Sequence, residues 1–206
     1  MTKLLLVSTG LIHPPYGGRA AVKETLAQIP GIDLDEVSSL EEALQRPEAP
    51  AYAAMVLYYH FPNARLSEPQ LAAFRSFVEC GGGVLAIHSA TASYKPSLPY
   101  FEVLGGRFTG HGPVSSLQIR PYGDSEIFAG VASFSVTDEL YLHQQQPDLR
   151  VHFVAEHEGK PVPVVWTREL GAGRVCYVCP GHRSASMRHD SVREILRRGV
   201  RWVSKG

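Results

Sequence analysis

Cysteine is scarce in this 206-residue chain, which carries only Cys80, Cys176 and Cys179. Three thiols exclude a disulfide framework. Cys176 and Cys179 are spaced C-x-x-C, but no second pair completes a metal-binding pattern. They lie in a strand-like stretch, where positions i and i+3 face opposite sides, so both read as small core residues. Net charge is missing too: twenty basic residues balance twenty acidic ones. That leaves no electrostatic footprint for nucleic acid or an anionic membrane. Arg193, Arg197, Arg198 and Arg201 fall at helical spacing around Glu194, as on a solvated helix face. No stretch approaches the ~18 apolar residues of a membrane span, and the opening MTKLLLVSTG is too short in its apolar part for a signal peptide. Repeats, low-complexity tracts and linkers are absent as well. One domain over residues 1–206, in the cytoplasm, is the expectation.

What is present is enough apolar residue, 44% against 19% charged, to build one sizeable core. The most informative stretch is 81–91, GGGVLAIHSAT. A short apolar run bounded by glycines reads as a buried strand of a parallel sheet, and Ser89-Ala90-Thr91 reads as a helix start. His88 therefore stands on a strand-to-helix turn, at the strand's carboxyl end, where open α/β sheets place their ligand crevice. A buried histidine bonded to backbone would also fit this position.

Upstream, 3–8 reads as a strand. LIHPPYGG at 11–18 reads as loop, with His13, Tyr16 and Arg19 placed to line the crevice. A helix follows over 19–29, then a strand over 32–37 and a short helix capped by Ser38 or Ser39. The strand at 53–59 delivers His60, and Ser67 with Gln70 forms a capping box for the next helix. This β-α-β-α-β-α-β order is the mark of a parallel sheet. Beyond His88 a helical piece covers 100–104, and 107–112 reads as a glycine-rich loop holding His111. Closely spaced strands at 115–120, 133–136, 151–156, 162–167 and 174–178 predict an antiparallel extension. Asp190 or Ser191 should cap a final amphipathic helix. Residues 137–143, TDELYLH, gather Glu139 and Tyr141, and the strand at 174–178 ends in a turn presenting His182. Three histidines and an acid near strand ends converge on one edge of the sheet.

The ordered set GGGVLAIHSAT, GGRFTGHG, TDELY, PVVWTRELGAGRVCYVCPGH and GVRWV resembles the ThuA-like (trehalose utilisation) family. The resemblance implies a flavodoxin-like, class I glutamine amidotransferase-like fold: an α/β three-layer sandwich with a mostly parallel central sheet. In that superfamily the turn after the corresponding strand holds a nucleophilic cysteine. Here it holds His88, and the position similar to the superfamily's later catalytic histidine is His182, followed by Arg183 instead of a nearby acid. Without a thiolate, acyl-enzyme chemistry on glutamine has no nucleophile. The resemblance also implies a small-molecule carbohydrate substrate, of the kind oxidised to 3-keto sugars.

Two mechanisms remain open at this stage. His88, His111 and His182, with Glu139, offer the donors that suit zinc or another divalent metal. Alternatively, His88 or His182 acts as a base beside Glu139, with Tyr141 donating to a substrate oxygen. His60, His111, Tyr16 and His13 are then substrate-binding candidates. No nucleotide cofactor, nucleic-acid partner or membrane partner is expected, and a homo-oligomer is allowed. The competing class is a non-catalytic sugar- or effector-binding module that has lost the superfamily nucleophile.

Overall fold

The computed structural model describes residues 1–9, 16–46 and 49–205. The elements run β1 (Thr2–Ser8), α1 (Tyr16–Ala27), β2 (Ile32–Val37), α2 (Leu40–Gln45), β3 (Ala54–Tyr58), α3 (Glu68–Glu79), β4 (Gly83–Ile87) and α4 (Leu98–Leu104). There follow β5 (Gly106–His111), β6 (Ser115–Pro121), β7 (Phe134–Asp138), β8 (Tyr141–Gln145), β9 (Arg150–His157), β10 (Lys160–Leu170), β11 (Gly173–Val178), α5 (Ser184–Met187) and α6 (Asp190–Val203). One sheet has the order β2-β1-β3-β4-β11-β10-β9-β6-β7. Its first five strands are parallel, and β10, β9, β6 and β7 extend it antiparallel.

The apolar runs in β1, β3 and β4 are continuous because both faces of these strands are covered. Alternation along β4 and β11 separates the two faces. A Cβ at Gly83 would meet Val203, and one at Gly199 would touch Leu85 and Cys176, so this face carries α6. A Cβ at Gly173 would meet Val78, so the other face carries α3. The result is three layers with a buried parallel core. No described helix is long and apolar enough to cross a membrane.

Several elements differ from the sequence reading. Residues 107–112, expected as loop, belong largely to β5, and β8 was not foreseen. The two form a separate antiparallel ribbon, with a register shift between Phe108 and Gly110 that breaks the alternation a strand would show. Helix α1 begins at Tyr16, inside the expected 11–18 loop. Gly17 serves close packing there, since a Cβ would lie 2.7 Å from Ser184 Oγ of α5, itself an unforeseen helix. Helix α6 is capped by His189, whose Nδ1 accepts from the Ser191 N–H at 3.3 Å, and not by Asp190 or Ser191. The capping box of α3 forms as its sequence predicts, and Ser39 caps α2.

His152 is a core residue. Its Nε2 lies 2.7 Å from Thr167 Oγ1 and its ring meets Phe128 edge-on at 5.0 Å. Burial, helped by Arg150, pushes its pKa from 6.5 down to about 4. The unfolded chain binds this proton first as pH falls, so native stability should drop from pH 6.5 towards 4. His152→Gln should flatten that part of a Tm-against-pH curve while lowering Tm at neutral pH. Gly173→Ala, whose Cβ would lie 2.0 Å from Val78 O and 2.5 Å from Gly82 O, should cost roughly 2–3 kcal/mol in urea unfolding.

Candidate active site

At the carboxyl end of β4 the chain tightens at once into a 3-10 turn, His88–Ala92. His88 sits at φ 46°, a conformation that costs a non-glycine residue energy and persists only where its surroundings enforce it. Its carbonyl accepts from Thr91 Oγ1 at 3.0 Å and from the Tyr177 hydroxyl at 3.3 Å. Its Nδ1 lies 2.8 Å from the Cys179 carbonyl at the end of β11. A carbonyl can only accept, so Nδ1 carries the proton and, in the neutral ring, Nε2 presents its lone pair.

That lone pair faces Glu139. Nε2 is 3.6 Å from Glu139 Oε2, and His182 Nδ1 is 3.3 Å from the same oxygen. His111 Nδ1 lies 3.6 Å from Glu139 Oε1, but it also bonds the Gly112 carbonyl at 2.7 Å and its side chain is 40% exposed. Donor atoms of His88, Glu139 and His182 fall within 4.8 Å of one another, while His111 stands at the rim of this group. Burial works to raise the Glu139 carboxyl, but the imidazoles gathered around it, His88 first and then His182 and His111, outweigh it, and the pKa is lowered. Tyr141 packs its ring 3.9 Å from that of His88. Burial, and then the charge of Glu139, raise its phenol far above the ordinary value, so it keeps its proton and can donate.

Asp138 is the residue that sequence reasoning missed. It is fully buried. Its Oδ1 accepts from the N–H groups of Glu139 at 2.8 Å and His182 at 3.0 Å, and its Oδ2 from those of Gly181 at 3.2 Å and Arg183 at 3.4 Å. One carboxylate thus ties the end of β7 to the turn after β11 and sets Glu139 against His182. The available signal was alternation: in FSVTD, Asp138 shares a face with Val136, and a buried acid needs donors. The turn is also pinned by Tyr58, whose hydroxyl donates to the Gly181 carbonyl at 2.6 Å.

The remaining candidates divide. His60 is half-buried, two residues beyond the end of β3. His13 lies outside the described residues, and of Tyr16 only its place at the start of α1 is described. His143 is half-buried behind the site: its Nε2 bonds Thr91 Oγ1 at 2.9 Å, and desolvation of its ring lowers its pKa to about 3. Cys176 and Cys179 are buried, as expected, with the Cys179 thiol pushed up to about 12 chiefly by burial. Such a thiol supplies no nucleophile at neutral pH.

A Cβ added at Gly181 would lie 2.4 Å from His88 Cβ. Gly181→Ala should therefore displace the His88 ring and lower activity or ligand binding far more than it lowers Tm. Asp138→Asn, which exchanges an acceptor oxygen for a donor among four N–H groups, should instead lower both, by roughly 2–4 kcal/mol in stability.

Comparison with known proteins agrees with this architecture. A protein described as ThuA-like from Parabacteroides merdae superposes with a TM-score of 0.85 at 18% identity, covering 100% of this chain and 90% of that one. A cytoplasmic protein of Salmonella typhimurium LT2 gives 0.75 at 14% identity, covering 98% and 99%. A β-galactosidase from Bacillus circulans gives 0.62 at 12% identity, with 91% of this chain matching 30% of that enzyme. The shared fold is the class I glutamine amidotransferase-like α/β sandwich. No curated protein sequence matches the chain. The family described as ThuA, trehalose utilisation, matches residues 3–203, and the chain belongs to it.

Proposed function

We propose that this chain is a single-domain carbohydrate enzyme acting on a sugar or keto-sugar derivative, with His88, His182, Glu139 and Tyr141 carrying the chemistry. Membership of a trehalose-utilisation family points to carbohydrate metabolism. The observation that carries the reading is the convergence of two imidazoles and a carboxylate within 4.8 Å at the strand ends. Glutamine amidotransfer is not proposed, since His88 occupies the nucleophile turn and the nearby thiol of Cys179 is buried.

His182 is the group a substrate reaches, its side chain 25% exposed against 0% for His88. In a 3-keto glycoside the ketone acidifies the neighbouring C–H bond. His182 takes the proton from C2, the bond pair forms an enolate, and the Tyr141 hydroxyl donates to the oxygen where charge develops. Glu139 holds His182 and stabilises its protonated form. Collapse of the enolate expels the glycosidic oxygen from C1, which takes up a proton; reprotonation of the enolate carbon would give isomerisation instead.

The same residues fit a divalent metal. The lone pair of His88 Nε2 and the carboxylate oxygen Glu139 Oε2 face each other at 3.6 Å, and two acceptors so placed call for a proton or a cation between them. The backbone bond at Nδ1 fixes the ring as metal-binding histidines are commonly fixed. His88, His182 and Glu139 would hold the ion, zinc being the natural choice for this donor set. When bound, it supplies a Lewis acid for a carbonyl oxygen.

With a 3-keto-glycoside as substrate, His88→Ala and His182→Ala should each lower kcat/KM by about 10²–10⁴-fold. Turnover equal to the unaltered protein would sink this reading, and sugar binding without turnover in any form would make the chain a binding module. Elemental mass spectrometry of untagged protein separates the two mechanisms: a near-stoichiometric divalent ion, lost in His88→Ala, assigns the metal route.

A further inference from the structure

Along the β5–β8 ribbon from His111, a cavity of about 350 Å³ is lined by Lys95, Arg107, Phe108, Thr109 and Gln144. Arg107 and Gln144 are register partners across the ribbon. The fold pairs many of its other cations with carboxylates: Arg19 and Lys23 with Glu36, Arg168 with Asp148, Arg197 and Arg198 with Glu194. Among the described residues, neither Lys95 nor Arg107 has such a partner. Arg107 is held by backbone and ring instead. Its Nη2 donates to the Lys95 carbonyl at 3.5 Å, and its guanidinium carbon lies 5.7 Å from the Phe101 ring centre. The Lys95 ammonium stands 5.5 Å from the Phe108 ring centre. Two cations on one cavity wall repel each other, and among the described residues no carboxylate pairs with either of them.

Phe108 joins this cavity to the site. Its ring lies 4.4 Å from Tyr141 and 5.9 Å from His111, so a cation, an aromatic ring and an imidazole follow one another along the ribbon. We infer that Lys95 and Arg107 bind an anionic group, phosphate or carboxylate, carried by the sugar that is transformed at the His–Glu cluster. This rests on the reading of that cluster as the reacting end. The guanidinium offers two parallel donors to either anion, Lys95 adds a point charge, and the Thr109 hydroxyl and Gln144 amide add neutral donors. The substrate class is therefore an anionic carbohydrate, a sugar phosphate or a uronate.

Isothermal titration at low salt with glucose 6-phosphate, glucuronate and glucose tests the assignment on the intact protein. At least one anionic sugar should bind about tenfold or more tighter than glucose, and raised salt should erode the advantage. Tighter binding of the phosphate or of the uronate names the anion. A Lys95→Ala/Arg107→Ala variant should lose the preference, while the salt dependence is read on the unaltered protein and does not rely on the variant folding. Equal binding of glucose, no binding of either anion at millimolar concentration, or anion binding untouched in the double variant would each overturn the inference. The readout is binding, so its failure leaves the turnover test of His88 and His182 untouched, and failure of that test leaves this one standing.

Discussion

The site depends on one buried carboxylate. Asp138 receives four backbone N–H groups, one from Glu139 and three from residues 181–183. A buried anion is costly unless its oxygens are filled, and here the donors that fill them come from chain segments more than forty positions apart. Satisfying Asp138 is the same event as bringing β7 against the turn after β11. Glu139 and His182 meet as a by-product, each attached to an N–H that Asp138 holds.

A second constraint acts from below. The left-handed conformation of His88 is maintained by hydroxyls of Thr91 and Tyr177 on its carbonyl, and Thr91 is in turn bonded to His143. Tyr177 stacks on Trp166 with ring centres 4.0 Å apart, and His143 meets both rings edge-on. The other side of the turn is tied by Tyr100, whose hydroxyl donates to the Ala90 carbonyl. Rigid aromatic packing thus supports a strained turn that holds one buried imidazole in one tautomer. Burial that leaves His143 neutral serves this role, since a charged ring there would stand uncompensated next to the cluster.

The structure also separates two environments on the ribbon. Its inner side, with Tyr141 and His143, packs against His88, Trp166 and Tyr177. At the other end of β5, Arg107 and Gln144 face a cavity shared with Lys95. The ribbon is short and carries a register shift, which sets polar side chains of both strands around the apolar Phe108. That juxtaposition sets Lys95, Arg107 and Gln144 around a ring that also packs on Tyr141 and His111.

The local signals were legible from the chain alone. Continuous apolar runs gave β1, β3 and β4, the Ser67–Gln70 capping box gave α3, and the GGGVLAIHSAT stretch put His88 on a turn at a strand end, because all of these depend on periodicity and capping within a few residues. The same reasoning placed Cys176 and Cys179 in the core. It failed at β5 and β8, whose half-exposed residues show no clean alternation, and at Asp138, whose partners lie far along the chain. Pairing across long separations has no local signature. Sequence by itself therefore determined the parallel core, its antiparallel extension and the neighbourhood of His88. Tertiary structure decided that Glu139, His182 and His88 share one space, because only folding lets a single buried carboxylate collect its donors from two distant turns.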